Sequence, residues 1–195
     1  LDDMAHASEN GMKTLQDLLN WASGQRENVV VNFRNLHLYP LIDSIIQSLR
    51  LSAAAKQLGF VTDIAEDALI FADEKMVTVA FRNLLSNAIK FSRQGGKITI
   101  TYVKRDEGAQ ILFTDEGIGI EEKDLKKLFA GGINDSRPGT NGETGSGLGL
   151  MLCREMIHNN KGSIEVKSRP GKGTTFTVIL PVTSNNVTLE SIISN

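Results

Sequence analysis

The stretch that most constrains what this chain can fold into is EKMVTVAFRNLLSNAIKFS, from Glu74 to Ser92. Phe81, Leu84, Leu85 and Ala88 recur at three- and four-residue offsets, so the segment reads as a helix that buries one stripe against a core. Asp73, just ahead, is a residue type that caps a helix start. KITITYV and AQILFT are apolar runs of strand length flanking KRDEG, as the arms of a hairpin flank their turn.

The rest of the chain mixes both periodicities. Upstream, VVVNF and LHLY read as strand, and PLIDSIIQSLRLSAAAKQLG as a helix opening at Pro40 and closing on Gly59. FVTDI and ALIFA read as short strands around AED. Downstream come a short helix, EEKDLKKLF, and a helix in GLGLMLCREMIHNNKG capped by Gly162. A last hairpin, SIEVKS and TTFTVILP, turns at RPGKG. Between the two helices, Ala130 to Ser146 carries almost nothing apolar and is expected to be a mobile loop. Near the start, Met4, Met12, Leu15, Leu18, Leu19 and Ala22 mark an amphipathic helix.

At 195 residues, 41% of them apolar, the chain fits one domain plus an appendage. Lysine and arginine number 21 against 23 aspartate and glutamate, so no basic field points to nucleic acid or an anionic membrane. The single cysteine, Cys153, excludes an internal disulfide and fits a reducing compartment, with the cytoplasm as default. No apolar run approaches the ~20 residues of a membrane span. A first residue of Leu1 suggests a piece of a longer chain, whose membrane anchor, if any, would lie upstream.

Three polar features stand out. Asn83, Asn87 and Lys90 share a second face of the Glu74 helix, although asparagine competes with helical hydrogen bonds. They are either a solvated face or a set in which an amide oxygen meets Mg²⁺ and a lysine meets phosphate. In DEGIGI, Asp115 to Ile120, glycines alternate with isoleucines. This is a structural turn, or a pocket rim where Asp115 accepts from an exocyclic amine, Gly117 and Gly119 leave room for a flat base, and Ile118 and Ile120 wall it. TGSGLGL places Gly145, Gly147 and Gly149 where a loop enters a helix, which suits phosphate but also suits a flexible linker.

Taken in chain order, the polar-faced helix, Asp-x-Gly-x-Gly, short helix, loop, Gly-x-Gly-x-Gly and GKGTTF resemble the ATP-binding catalytic domain of sensor histidine kinases. That domain belongs to the wider gyrase, chaperone, histidine kinase and mismatch-repair ATPase superfamily. The resemblance runs from about Asn32 to Pro181. It implies an α+β fold, a two-layer sandwich with helices on one face of a mixed sheet, preceded by an amphipathic helix. It implies ATP and Mg²⁺ as cofactors, with Asn87 chelating the metal and Asn83 and Lys90 toward the phosphates. Asp115 would read adenine, with Gly117, Ile118, Gly119 and Ile120 forming the base site. Gly145, Ser146, Gly147, Leu148 and Gly149 would hinge a lid, Phe129 would open the phenylalanine box, and Thr175 in GKGTTF would join the pocket. The chain departs from the pattern at Gly132, where a second aromatic is usual, and at Asn134, where a basic residue often faces phosphate; Arg137, further into the loop, would be the substitute cation.

MKTLQDLLNWASGQREN resembles the second helix of the dimerisation hairpin of the same kinases. This divides the chain into 1–28, that helix; 29–182, the catalytic domain; and 183–195, a frayed tail. The phosphoacceptor helix is then outside the chain, because His6 lacks an adjacent acid, and His37 and His158 read as structural. The implied partners are ATP, the upstream acceptor helix with a second kinase subunit, and a response-regulator receiver domain, with a weak homodimer of the piece itself. A regulatory nucleotide-binding module without phosphotransfer and a serine-directed anti-sigma kinase of the same fold are the alternatives.

Overall fold

The structure is a computed structural model, and it describes residues 30–105, 108–125, 127–129, 138–143 and 147–182. The expected N-terminal helix and the tail lie outside them. Among the described residues, seven strands and four helices follow in order. They are β1 (Arg34–His37), α1 (Leu38–Ala55), β2 (Gly59–Asp63), β3 (Leu69–Ala72), α2 (Glu74–Phe91), β4 (Lys97–Arg105) and β5 (Gly108–Asp115). Then come α3 (Glu122–Leu125), α4 (Gly149–Asn159), β6 (Ser163–Arg169) and β7 (Gly173–Leu180).

Five strands form a mixed sheet in the order β2-β4-β5-β7-β6, in which only the β2–β4 pair is parallel. Strand alternation sorts its side chains into rows. Ile100, Phe113 and Phe176 align on one face, as do Ile98, Asp115 and Thr174 one step further on. Helices cover that face. The stripe of α2, Val77, Phe81, Leu84 and Ala88, is buried together with these strand residues, and the Phe81 and Phe113 rings lie 5.2 Å apart. Leu38, Ile42, Ile45, Leu49 and Ala53 bring α1 into the same core, and Cys153 and Ile157 bring α4. The result is the α+β two-layer arrangement the sequence implies. Cys153 is fully buried, which pushes its thiol pKa well up and leaves it no reactive role.

Helix α2 starts where Asp73 predicts. The Asp73 side chain accepts from Met76 N at 3.1 Å and from Asn32 N at 2.9 Å. Asp73 N itself donates to Oδ1 of the fully buried Asn160 at 2.6 Å, tying the start of α2 to the end of α4.

Three boundaries differ from expectation. Helix α1 begins at Leu38 and not Pro40, because proline costs nothing anywhere in a first turn whose N–H groups have no helical partner. It ends at Ala55, where Gln57 takes φ 55°, so Gly59 opens β2 instead of capping the helix. At the end of α4 the left-handed residue is Lys161, φ 58°, and not Gly162. Gly162 is needed for another reason: a Cβ there would sit 2.3 Å from Ile179 O. VVVNF forms no strand among its described residues, and β2 and β3 pair in different sheets, β3 with β1.

Truncating Phe81 to Ala at the helix–sheet contact should lower the unfolding free energy by about 3–5 kcal/mol, as a buried aromatic does. Asp73→Ala should cost about 1–2 kcal/mol through the lost cap. Urea denaturation followed by circular dichroism checks both, and a smaller effect for Phe81 than for Asp73 would contradict this packing.

Candidate nucleotide site

Strand β5 ends at Asp115, a carboxylate only 4% exposed. Its Oδ1 accepts from Gly117 N at 2.8 Å and Thr174 N at 3.2 Å. Both donors fall on one oxygen, Oδ1. Burial pushes the Asp115 pKa up to about 6 against the opposing pull of the two backbone donors. A buried carboxylate with a raised pKa at the open end of a strand is a site signature rather than a stabilising device.

The loop that follows is clamped from two sides. Ile118 N donates to Phe91 O, the last residue of α2, at 3.2 Å, and Gly171 N donates to Ile118 O at 2.7 Å. Ile120 N donates to Ser168 Oγ at 2.9 Å. The two glycines serve these approaches: a Cβ on Gly117 would lie 2.3 Å from Phe91 O, and one on Gly119, φ 70°, would lie 2.0 Å from Arg169 O. The room they make is therefore filled by the protein's own backbone, which corrects the expectation that they clear space for a base. Ile118 is 39% exposed, a rare solvent-facing apolar side chain, and Ile120 is half-buried.

From Phe91 the polar face of α2 runs back past Lys90 and Asn87 to Asn83, a rise of about 12 Å from residue 83 to residue 91. Asn83 donates to Val79 O at 3.1 Å, and its Oδ1 would lie 2.9 Å from a Cβ on Gly149. The first residue of α4 is thus pressed against Asn83, with Gly147 at φ 74° and the buried Leu148 leading into it. Asn87 is half-buried, and its amide makes no hydrogen bond to another described residue. The Lys90 ammonium lies 4.9 Å from the centre of the Phe91 ring. Phe129 packs edge-on against Phe176 at 6.5 Å, which anchors the end of the short-helix region to the core.

Thr175 is not in this group. It pairs with Thr114 in the β5–β7 register, with the two hydroxyls 3.1 Å apart, and so faces the side of the sheet opposite Asp115. Its neighbour Thr174, 7% exposed, stands beside Asp115 and shares a hydrogen bond of 2.9 Å with Ser168 Oγ. Counting back by two from the core residue Phe176 finds Thr174; naming the GKGTTF box alone does not. Ser168, which also donates to Gly173 O at 2.8 Å, carried no sequence signal beyond its place in a strand. Arg137, Gly145 and Ser146, along with Gly132, Asn134 and His6, lie outside the described residues. His37 and His158 are exposed and away from the site.

One rim therefore joins a buried carboxylate, an exposed apolar side chain, two amides and a helix start. Residues 72–184 match the family described as histidine kinase-, DNA gyrase B- and HSP90-like ATPase. The adaptive-response sensory kinase SasA of Thermosynechococcus vestitus is 34% identical over 172 residues, 87% of this chain and 45% of that one. The chain spans less than half the length of the curated SasA relatives it matches. Among solved structures, the catalytic domain of histidine kinase ThkA superposes with a TM-score of 0.66 at 26% identity, over 80% of this chain and 99% of that one. Histidine kinase ThkA in complex with response regulator protein TrrA gives a TM-score of 0.73 at 22% identity, over 94% of this chain and 51% of that one. By its matched residues and by its fold, the chain belongs to the histidine kinase-, DNA gyrase B- and HSP90-like ATPase family, among the catalytic domains of sensor histidine kinases.

Proposed function

We propose that this domain binds Mg²⁺-ATP along α2 and donates its γ-phosphoryl to a histidine on a helix outside the chain. The observation that carries the reading is the buried Asp115, with one carboxylate oxygen engaged by backbone and the other left for adenine's exocyclic amine. Ile118 supplies an apolar face for the base, and the start of α4 beside Asn83 supplies N–H donors for phosphate. Asn87 fits a magnesium ligand because its half-buried amide makes no hydrogen bond to another described residue. Among the described residues no cluster of three or more His, Cys, Asp or Glu offers a dedicated metal cage, so the ion would arrive with the phosphates, the usual mode for Mg²⁺. When bound, the ion would neutralise phosphate charge. The chain's own residues position the nucleotide, and little covalent chemistry falls to them.

In the transfer, the bond between the γ-phosphorus and the β–γ bridging oxygen breaks, a bond to an imidazole nitrogen forms, and ADP leaves. Residues 1–28 we assign to a dimerisation helix, 29–182 to the catalytic domain and 183–195 to a tail. A response-regulator receiver would take the phosphoryl group onward, a partner supported by the solved complex of histidine kinase ThkA with response regulator protein TrrA. No helix among the described residues is long and apolar enough to cross a membrane, and we place the domain in the cytoplasm, where ATP is available.

Titration calorimetry tests the reading. ATP should bind at least about tenfold more tightly with Mg²⁺ than with excess chelator, and Asn87→Ala should remove most of that difference while the fold survives. Equal affinity with and without the ion contradicts the Asn87 assignment.

Asp115 adds a pH dependence. Its folded pKa of about 6 lies above the ordinary aspartate value of 3.8, so the folded state holds the proton more tightly and ionisation destabilises it. Stability of the nucleotide-free protein should fall as pH rises from about 3 to 7, most steeply between about 4 and 6, by up to about 3 kcal/mol. Asp115→Asn, which keeps an oxygen for both backbone donors, should melt higher than wild type at pH 7.5 and lose that advantage near pH 4. A variant that melts lower at pH 7.5 would show that the carboxylate is a structural group.

A further inference from the structure

Lys56, the residue after α1, is 2% exposed. Its ammonium lies 2.9 Å from Ile89 O, 2.8 Å from Lys90 O, 2.7 Å from Thr140 Oγ1 and 2.5 Å from Glu143 Oε1. A lysine charge is costly to bury unless its three protons all find acceptors, and here four oxygens share them. Two of these are the last carbonyls of α2, which lack helical donors and favour a cation. The other two belong to residues 138–143. Burial pulls the Glu143 carboxyl upward, but the Lys56 ammonium and the Asn141 N–H outweigh it and hold the pKa below the usual range.

The segment thus tied down crosses Lys90. Thr140 N donates to Lys90 O at 3.1 Å, and Thr140 Oγ1 donates to Ser92 O at 2.7 Å. Gly139 packs so closely that a Cβ there would lie 2.6 Å from Lys90 Cγ and 2.8 Å from Lys90 O. Glu143 closes the segment on itself, its carbonyl accepting from Gly139 N at 2.8 Å and its Oε2 from Asn141 N at 2.9 Å. Residues 138–143 are therefore a strap fastened over the stem of Lys90, and the expectation of one loose loop from 130 to 146 does not hold for this part.

We propose that Lys56 is a positioning residue for nucleotide phosphates, binding the 138–143 strap to the end of α2 so that Lys90 is held, by carbonyl and by stem, in one place on the site's polar face. The proposal rests on the Mg²⁺-ATP reading above. Asp115, by contrast, is held by Gly117 and Thr174, neither of which Lys56 touches. Losing the clamp should therefore weaken phosphate binding and spare the base.

Calorimetry on the 195-residue chain with Mg²⁺-ATP and with adenosine separates the two. Lys56→Met should bind Mg²⁺-ATP at least about tenfold more weakly while its adenosine affinity stays within about twofold of wild type. Glu143→Gln, on the partly exposed side of the clamp, should lose about threefold for ATP alone. Unchanged ATP affinity in both variants overturns the proposal, as do equal losses for ATP and adenosine, which mark a general staple of the fold. If Lys56→Met lacks native circular dichroism, Glu143→Gln decides by the same criteria. A wild type that binds neither ligand sinks the nucleotide reading itself, and the role of Lys56 with it, whereas a wild type that binds both leaves the variants to judge Lys56 alone.

Discussion

Much of the structure around the site depends on one buried oxygen, Asp115 Oδ1, and the two backbone N–H groups it draws in. To reach it, the chain must turn back within two residues at Gly117, and β7 must bring Thr174 alongside. Those approaches leave no space for side chains. A Cβ on Gly173 would lie 1.9 Å from Asp115 O, and one on Gly117 2.6 Å from Asp115 Oδ1. Gly117 and Gly173, one from each motif, are consequences of packing backbone closely around one aspartate. Burial also holds the carboxyl near half-ionisation around pH 6, a state that costs stability and is retained where a charge has a task.

Helix α2 then serves as the ruler of the site. One side carries the core stripe that fixes it to β5, and the other carries Asn83, Asn87 and Lys90. Each end is tied to a different element. Asp73 and Asn160 join its start to the end of α4, and Lys56 joins its last carbonyls to the 138–143 strap. Phe91 O holds the DEGIGI loop through Ile118. On the proposed reading, base, amide and phosphate groups would thereby lie along one rigid axis, the pre-organisation that phosphoryl transfer requires.

Residue patterns with a local cause were legible in the sequence. The stripe of Phe81, Leu84 and Ala88, the Asp73 cap and the two antiparallel hairpins follow from period and propensity, and the structure has all of them. What was not legible depended on distant chain segments. Gly59 and Gly162 both resembled helix stops, yet one opens a strand and the other yields to the Ile179 carbonyl. The purpose of Gly117 and Gly119 is hidden in the sequence for the same reason, since the backbone they admit comes from Phe91 and Arg169. The GKGTTF box points to Thr175, while only the register of β5 against β7 says which face each residue takes and puts Thr174 beside Asp115. Lys56 gave no signal, because its four partners come from α2 and from a strap more than eighty residues away.

The central claim is that Asp115 reads the amino edge of adenine. The most direct measurement is the ratio of dissociation constants for Mg²⁺-ADP and Mg²⁺-IDP, which differ at the six-position of the base, amine against carbonyl. A carbonyl there leaves the buried carboxylate without its donor, so the account predicts that ADP binds at least about a hundredfold more tightly, the scale of a buried polar group left unpaired. Equal affinities would contradict it.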